Sequence, residues 1–296
     1  MDVSKSPAAA PAPALFDSAL EERRLQRAAR LAAPADFLLR RAAEDLRERL
    51  GAIKRRFTRI ADALTPGAAF GAAALELYPG ANLAVHGITA NGALDLGAGR
   101  FDLIVSGLRL HHANDLPGVL AQIRHALKPD GLLLGCMAGG ATLTELRQSL
   151  AEAESAVTGG ISPRVAPFAD IRGIGGLLQR AGLALPVADS ETVTVRYGDM
   201  AALMADLRAM GATNVLTGRL RRPTRRSVFT RAATFYAERF SDADGRIRAT
   251  FETLWFSGWA PHENQQQPLR PGSARSRLAD ALGVTETAAG EKAGGS

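Results

Sequence analysis

The chain has 296 residues, 46% of them hydrophobic and 5% aromatic, with a formal net charge of +6. That length supports one large core, or a core with a smaller lobe, and no apolar run approaches the ~20 residues of a membrane span, which excludes a helical transmembrane protein. Cys136 is the single cysteine, so an internal disulfide is excluded, and no Cys/His spacing suits zinc, so no metal site is expected.

In chain order, residues 1–14, MDVSKSPAAAPAPA, read as a disordered Ala/Pro-rich tail without the basic start and apolar core of a secretory signal. Leu15 to Leu31 predicts a helix. Asp36 is placed to cap a second, with Leu39, Ala42, Leu46, Leu50 and Ile53 on one face. Asn82 to Ile88 is a candidate strand. Phe101 to Val105 reads as a strand buried on both faces, followed by a polar loop of His111, His112 and Asn114. Asn114 and Asp115 read as helix caps, and Pro117 suits the first turn. Leu116, Leu120, Ile123 and Leu127 form an apolar stripe, Lys128 meets the negative helix end, and Pro129-Asp130-Gly131 turns the chain into a second strand, Leu132 to Met137. This β-α-β crossover is the unit of a parallel doubly wound sheet.

Further on, Thr142 and Glu145 have the spacing of a capping box, opening a helix lined by Leu143, Leu146 and Leu150. Helices are predicted over 169–181, 200–210 and 225–240, strands within 183–197, and a long strand from Phe251 to Trp259. The boundaries that follow are a tail over 1–14, N-terminal helices over 15–56, an α/β core over 57–140, a helical lobe with closing strands over 141–269, and a flexible tail over 270–296. Cys136 lies inside a buried strand, which suits packing better than reactivity.

The segments FDLIVS and LHHANDLPGVLAQIRHALKPDG resemble the second half of a class I methyltransferase domain. LFDSALEERRLQRAAR, GGATLTELRQSLAEAE, ISPRVAPFADIRGIGGLLQRAGL, DLRAMGATN and FETLWFSGWAPHENQQQPLRPGSA narrow the likeness. Together they resemble the subgroup around the methyltransferase-like assembly factor of respiratory complex I and its alphaproteobacterial relatives. The likeness runs from Leu15 to Leu282 with an interruption at residues 60–95. It implies a Rossmann-like class I methyltransferase sheet, S-adenosylmethionine as cofactor, and a protein side chain as substrate. For the mitochondrial member it implies hydroxylation of an arginine on a complex I subunit. It also implies a respiratory complex subunit as partner and a cytoplasmic protein, at most peripheral to the inner membrane.

The interruption falls on the cofactor half. The family writes its glycine turn as ALDLGxGxG, because glycine lets the backbone approach the ligand and turn tightly into a helix. Here the matching stretch is IADALTPGAAFGAAAL. Asp62 takes the acidic position, while Leu64, Pro66 and Ala68 take the glycine positions, and Gly67 and Gly71 stand out of register. LDLGAG, from Leu94 to Gly99, copies the motif, but FDLIV begins two residues after Gly99. A parallel crossover takes about a dozen residues or more, so LDLGAG reads as the loop into that strand. The candidate strand before it ends in His86 and Gly87 instead of a ribose-binding acid, and Ala90, Asn91 and Gly92 replace the acids expected before FDLIV. From Phe57 to Phe101 the chain is too short for three strands and two helices, so one β-α unit is expected to be missing. A genuine deletion and a frameshifted stretch of gene both fit that gap.

Candidate site residues follow. Asp62, Gly67 and Ser106 would face the cofactor by family position. His111 and His112 lie where a strand ends in an open sheet, as a base or a substrate-orienting group, although the family carries tryptophan at the place of His112. The plainer role for His111 is a hydrogen bond to the loop backbone. Trp259, His262, Glu263 and Gln265 leave a strand into a loop that suits a protein substrate or partner, or a structural clamp. Arg219, Arg221, Arg222, Arg225 and Arg226 form the densest basic patch, without interleaved aromatics, and read as a solvated face with no nucleic-acid partner favoured. Two functions remain: an S-adenosylmethionine-dependent enzyme acting on a protein, or a cofactor-free pseudoenzyme serving as an assembly or binding scaffold.

Overall fold

The computed structural model describes residues 14–31, 35–89, 92–265 and 283. The chain splits into two units, Met1–Pro261 and His262–Ser296. The tails expected over 1–14 and 270–296 fall, apart from Ala14 and Gly283, outside the described residues, as do Ala90 and Asn91.

The first unit opens with α1 (Ser18–Ala28) and α2 (Phe37–Gly51). Asp17 caps α1 through Leu20 N–H. Asp36 stands at the N-cap of α2 without a side-chain bond to it, because its carboxylate pairs with Arg40 at 3.0 Å. Next come β1 (Arg59–Ala63), a short 3-10 turn at Pro66–Ala68, α3 (Ala69–Leu77) and β2 (Asn82–His86). β3 (Phe101–Gly107) is buried at every position, as its unbroken apolar run requires. A second 3-10 turn, Leu110–His112, leads to α4 (Leu116–Ala126), capped by Asp115, and then to β4 (Leu127–Ala138). Lys128, one residue past the C-cap of α4, meets the Asp102 carboxylate at 3.4 Å.

The remaining elements are α5 (Thr144–Thr158), α6 (Ile171–Arg180), β5 (Ala184–Tyr197), α7 (Met200–Ala209), α8 (Arg226–Phe240) and β6 (Ile247–Trp259). The strands form one sheet in the order β2-β1-β3-β4-β6-β5. β2, β1, β3 and β4 run parallel, and β6 pairs antiparallel with both β4 and β5. This is a mixed α/β, Rossmann-like sheet. Between Phe57 and Phe101 the described residues hold two strands and one α-helix, so the expected loss of a β-α unit is what the sheet shows. β2 is left as the edge strand, and Val85 on it is 59% exposed where a further unit would cover it.

Apolar side chains fill three large regions and a small fourth one around Phe16, Val215 and Leu216. One face of the sheet packs Ile104, Leu120, Ile123 and Leu133 with Ile174 and Leu178 of α6. The other packs Ile60, Leu103 and Leu134 with Leu46 and Leu50 of α2 and Phe70 of α3. β5 and β6 then run on beyond β4 as a two-stranded ribbon, and α5, α7 and α8 close over it around Leu203, Tyr236 and Phe251. The capping box expected at Thr142 and Glu145 is not formed. Leu143 holds the N-cap with φ 55°, and Thr142 exchanges hydrogen bonds with the Glu252 backbone. The Glu145 carboxylate accepts from the N–H and hydroxyl of Thr250. Both side chains lock the ribbon to α5 instead.

Candidate functional site at the carboxyl edge of the sheet

The turn after β1 keeps the path of a glycine loop without its glycines. Leu64 has φ 66°, Gly67 φ 60° and Ala68 φ 53°. Left-handed backbone costs an L-residue about 1–2 kcal/mol, so two of the three substituted glycine positions carry strain that the surrounding packing holds in place. Asp62 is buried at the end of β1, and its Oδ2 accepts from Gly71 N–H at 2.6 Å. Burial pushes its carboxyl above the usual range, and hydrogen bonds from Thr65, Gly71 and Phe70 only partly offset that. Gly67 is exposed at the tip of the turn, and Ser106 is fully buried on β3 with no hydrogen-bond partner for its hydroxyl among the described residues.

These residues depart from the set that holds S-adenosylmethionine, the cofactor a methyltransferase fold implies, at the glycine turn and at the ribose acid. A bound nucleoside needs an open trough between the turn after β1 and the end of β3. Here Gly107 N–H donates to Thr65 Oγ1 at 2.9 Å and ties the two together. The Phe70 ring covers Gly107 so closely that a methyl group there would lie 2.9 Å from it. Leu64 sits in the core with Leu94, Leu96 and Leu110, where a glycine would leave space. Leu94 N–H donates to Gln122 at 3.0 Å and Gly99 N–H to His125 O at 2.9 Å, so LDLGAG lies along α4 as the lead into β3. At the end of β2, His86 offers no carboxylate for ribose hydroxyls, and its Nε2 is buried without a partner among the described residues.

Beyond β3 the edge is polar. His111 Nδ1 accepts from Ala138 N–H at 3.4 Å, and its ring lies 5.4 Å from Phe168 and 4.2 Å from His112. Burial, then the charges of His112 and Arg109, hold His111 well below the usual imidazole range, so it is neutral at pH 7. His112 Nδ1 meets Glu21 Oε1 at 2.8 Å, and Arg109 Nε reaches the same oxygen at 3.4 Å. Burial opposes the Glu21 charge, but the hydrogen bond and charge of His112, then Arg109, bring its carboxyl below the usual range. Glu21 is the residue that sequence reasoning missed. It lies 91 positions from His112, and no spacing signal connects a polar residue of α1 to that loop. Asn114, expected as a cap, instead anchors the N-terminal segment: Phe16 N–H donates to its Oδ1 at 2.8 Å and its Nδ2 donates to Phe16 O at 2.9 Å.

A mostly apolar cavity of about 210 Å³ opens beside His112, lined among the described residues by Leu143, Leu150, Phe168, Met204 and Phe229. A carboxylate that orients an imidazole fixes which ring nitrogen can take or hand on a proton, and His112 Nε2 is that nitrogen here. The chemistry available is therefore proton transfer, or a hydrogen bond, to a group held in an apolar groove.

His111 also sets a pH dependence. Its pKa is depressed on folding, so the stabilising effect of keeping it neutral is complete above its unfolded value near 6.5 and is lost as pH falls. Between pH 6.5 and 5.5 wild type is expected to lose up to about 1.4 kcal/mol per unit relative to His111→Gln. Urea unfolding at each pH measures it, and parallel wild-type and variant curves would refute it.

Trp259 closes β6, paired with Leu132 and Ala184, with the Arg55 guanidinium 5.5 Å above its ring. His262 and Gln265 belong to the second unit, where His262 N–H donates to Gln265 Oε1 at 3.3 Å in a local turn. The structure thus joins His111 and His112 with Glu21 and Arg109, and seals Asp62 and Ser106 into the core.

Residues 67–186 match the family described as methyltransferase domain. Among characterised proteins, the mitochondrial arginine-hydroxylase NDUFAF5 of Danio rerio is 42% identical over 180 residues, 61% of this chain and 56% of that protein. The human NDUFAF5 is 43% identical over 174 residues, 59% of this chain and 50% of its own length. A malonyl-[acyl-carrier protein] O-methyltransferase of Xylella fastidiosa is 39% identical over 160 residues, 54% of this chain and 52% of that protein. The chain spans about half the length of the curated relatives it matches. Among solved structures, the YcgJ protein of Bacillus subtilis aligns with a TM-score of 0.48 at 12% identity, covering 74% of this chain and 99% of that one.

Proposed function

We propose, for a chain that carries a methyltransferase domain over residues 67–186 and is homologous to mitochondrial arginine hydroxylases, that it works as a protein-binding member of that fold. In this reading S-adenosylmethionine is not seated at the carboxyl edge of the sheet. One observation supports it: a Thr65–Gly107 hydrogen bond ties the turn after β1 to the end of β3, and the Phe70 ring packs on Gly107. The partner is a protein, a respiratory complex subunit by homology, met through the loop that follows Trp259 and in the cytoplasm, at most peripheral to a membrane. No helix among the described residues is long and apolar enough to cross a membrane.

A second reading has support of its own. The domain family implies S-adenosylmethionine, the turn after β1 keeps left-handed backbone at Leu64 and Ala68, and the Glu21–His112 pair borders an apolar cavity. That combination suits an enzyme acting on a protein side chain, an arginine by homology. Calorimetry on the full chain with S-adenosylmethionine and S-adenosylhomocysteine separates the two. No binding is expected at millimolar ligand. Micromolar binding would overturn the scaffold reading, and loss of that binding in Asp62→Ala would place the ligand at this turn.

A further inference from the structure

A second cavity, of about 430 Å³, lies between α1, the 162–164 loop and residues 214–221. Four arginines line it: Arg24, Arg164, Arg219 and Arg221. Two are committed to carboxylates. Arg164 forks onto Glu154 at 2.7 and 2.9 Å, and Arg219 meets Asp17 at 3.1 Å. Arg24 donates to the Asn214 carbonyl, and Arg221 is exposed; neither forms an ion pair among the described residues. Four guanidiniums against two carboxylates leave the cavity two positive charges in excess.

Crowding cations around a recess costs free energy unless something anionic enters it. The cost is visible at Arg24, whose guanidinium is less basic than usual through burial and then the charges of Arg219 and Arg27. A solvated basic face would spread its arginines outward. Here Arg24 and Arg219 are partly buried and held by main-chain carbonyls, which fixes their forks before a ligand arrives. Planar guanidinium forks suit oxyanions with two or more acceptor oxygens. The volume is that of a small-molecule site, larger than one inorganic anion fills.

We propose that this cavity binds a phosphate group, carried by a small molecule, between Arg24 and Arg221, the two guanidiniums that meet no carboxylate among the described residues. The excess of two positive charges matches a phosphate dianion. The inference is independent of whether S-adenosylmethionine binds, since no residue of the turn after β1 lines this cavity.

The test is calorimetry of the full chain with inorganic phosphate and pyrophosphate at low salt, alongside Arg221→Gln and the double variant Arg24→Gln/Arg221→Gln. Co-sedimentation with phosphatidylglycerol vesicles and with neutral phosphatidylcholine vesicles forms the second arm. Millimolar or tighter binding of the soluble anions is expected, weakened at least fivefold in Arg221→Gln and further in the double variant. Arg221 is exposed and has no ion pair among the described residues, so its variant keeps the fold and serves as the control against unfolding. Binding only to phosphatidylglycerol vesicles, lost in the same variants, would keep the phosphate chemistry but overturn the small-molecule source. Absence of binding in both arms, or equal binding by wild type and Arg221→Gln, would overturn the proposal.

Discussion

Replacing Glu154 with alanine is expected to destabilise the protein by about 3–5 kcal/mol, the range for removing one partner of a buried ion pair. Glu154 is 4% exposed on α5. Its carboxylate accepts from Arg164 Nε and Nη2 at 2.9 and 2.7 Å and from Ser162 N–H at 2.9 Å and Oγ at 2.8 Å. Removing it strands the Arg164 guanidinium and frees the 162–168 segment, which borders both cavities. The same contacts, led by Arg164 and opposed by burial, bring the Glu154 carboxyl from 4.5 to about 2. A pKa depressed on folding stabilises above its unfolded value. The contribution is therefore complete above pH 4.5 and disappears as pH falls toward 2, a span worth about 3 kcal/mol. Urea unfolding of wild type and Glu154→Ala should differ by several kcal/mol at pH 7 and converge as pH approaches 2. A difference below 1 kcal/mol at pH 7 would show that the pair is solvated and that the segment is held by something else.

How much of this was legible beforehand depended on distance along the chain. The α4 stripe, the Asp115 cap and the buried strand β3 are local patterns. Periodicity and capping rules recover such patterns because their partners lie within a few residues. The missing β-α unit was legible by length alone, since a parallel crossover has a minimum size. What failed were polar side chains whose partners are remote. Thr142 and Glu145 have capping-box spacing, yet their partners Glu252 and Thr250 lie 110 and 105 residues away. Asn114 resembles a cap but holds Phe16, 98 positions earlier. The pairing of Glu21 with His112 is the same kind of contact, and it changes the site most, because it supplies the acid that the sequence did not show. β6 begins at Ile247, four residues before the expected Phe251, because its first residues lie beyond β4 and pair with β5 in the ribbon under the helical lobe.

The closed trough makes its own prediction at Phe70 and Gly107. Phe70 is fully buried, stacked at 5.9 Å and 4° on Trp255, with the Arg49 guanidinium 4.5 Å above the other ring. Phe70→Ala is expected to lose about 3–5 kcal/mol, since it removes a core aromatic and leaves a void that the sheet cannot collapse into. Gly107→Ala acts from the opposite side. Its new methyl would lie 2.9–3.0 Å from three atoms of the Phe70 ring, an overpacking worth about 1–3 kcal/mol. The double variant places the methyl in the void left by the phenyl ring, so its loss should fall short of the two single losses added together by more than about 0.5 kcal/mol. Additive losses would mean that Phe70 does not press on Gly107 and that the end of β3 is open. Calorimetry on Phe70→Ala then separates closure by this ring from loss of the site itself. A plugged but otherwise intact cofactor site would begin to take S-adenosylmethionine once the ring is gone. A site that has also lost its glycines at Leu64 and Ala68 and its acid at His86 should still refuse it, which is the outcome expected here.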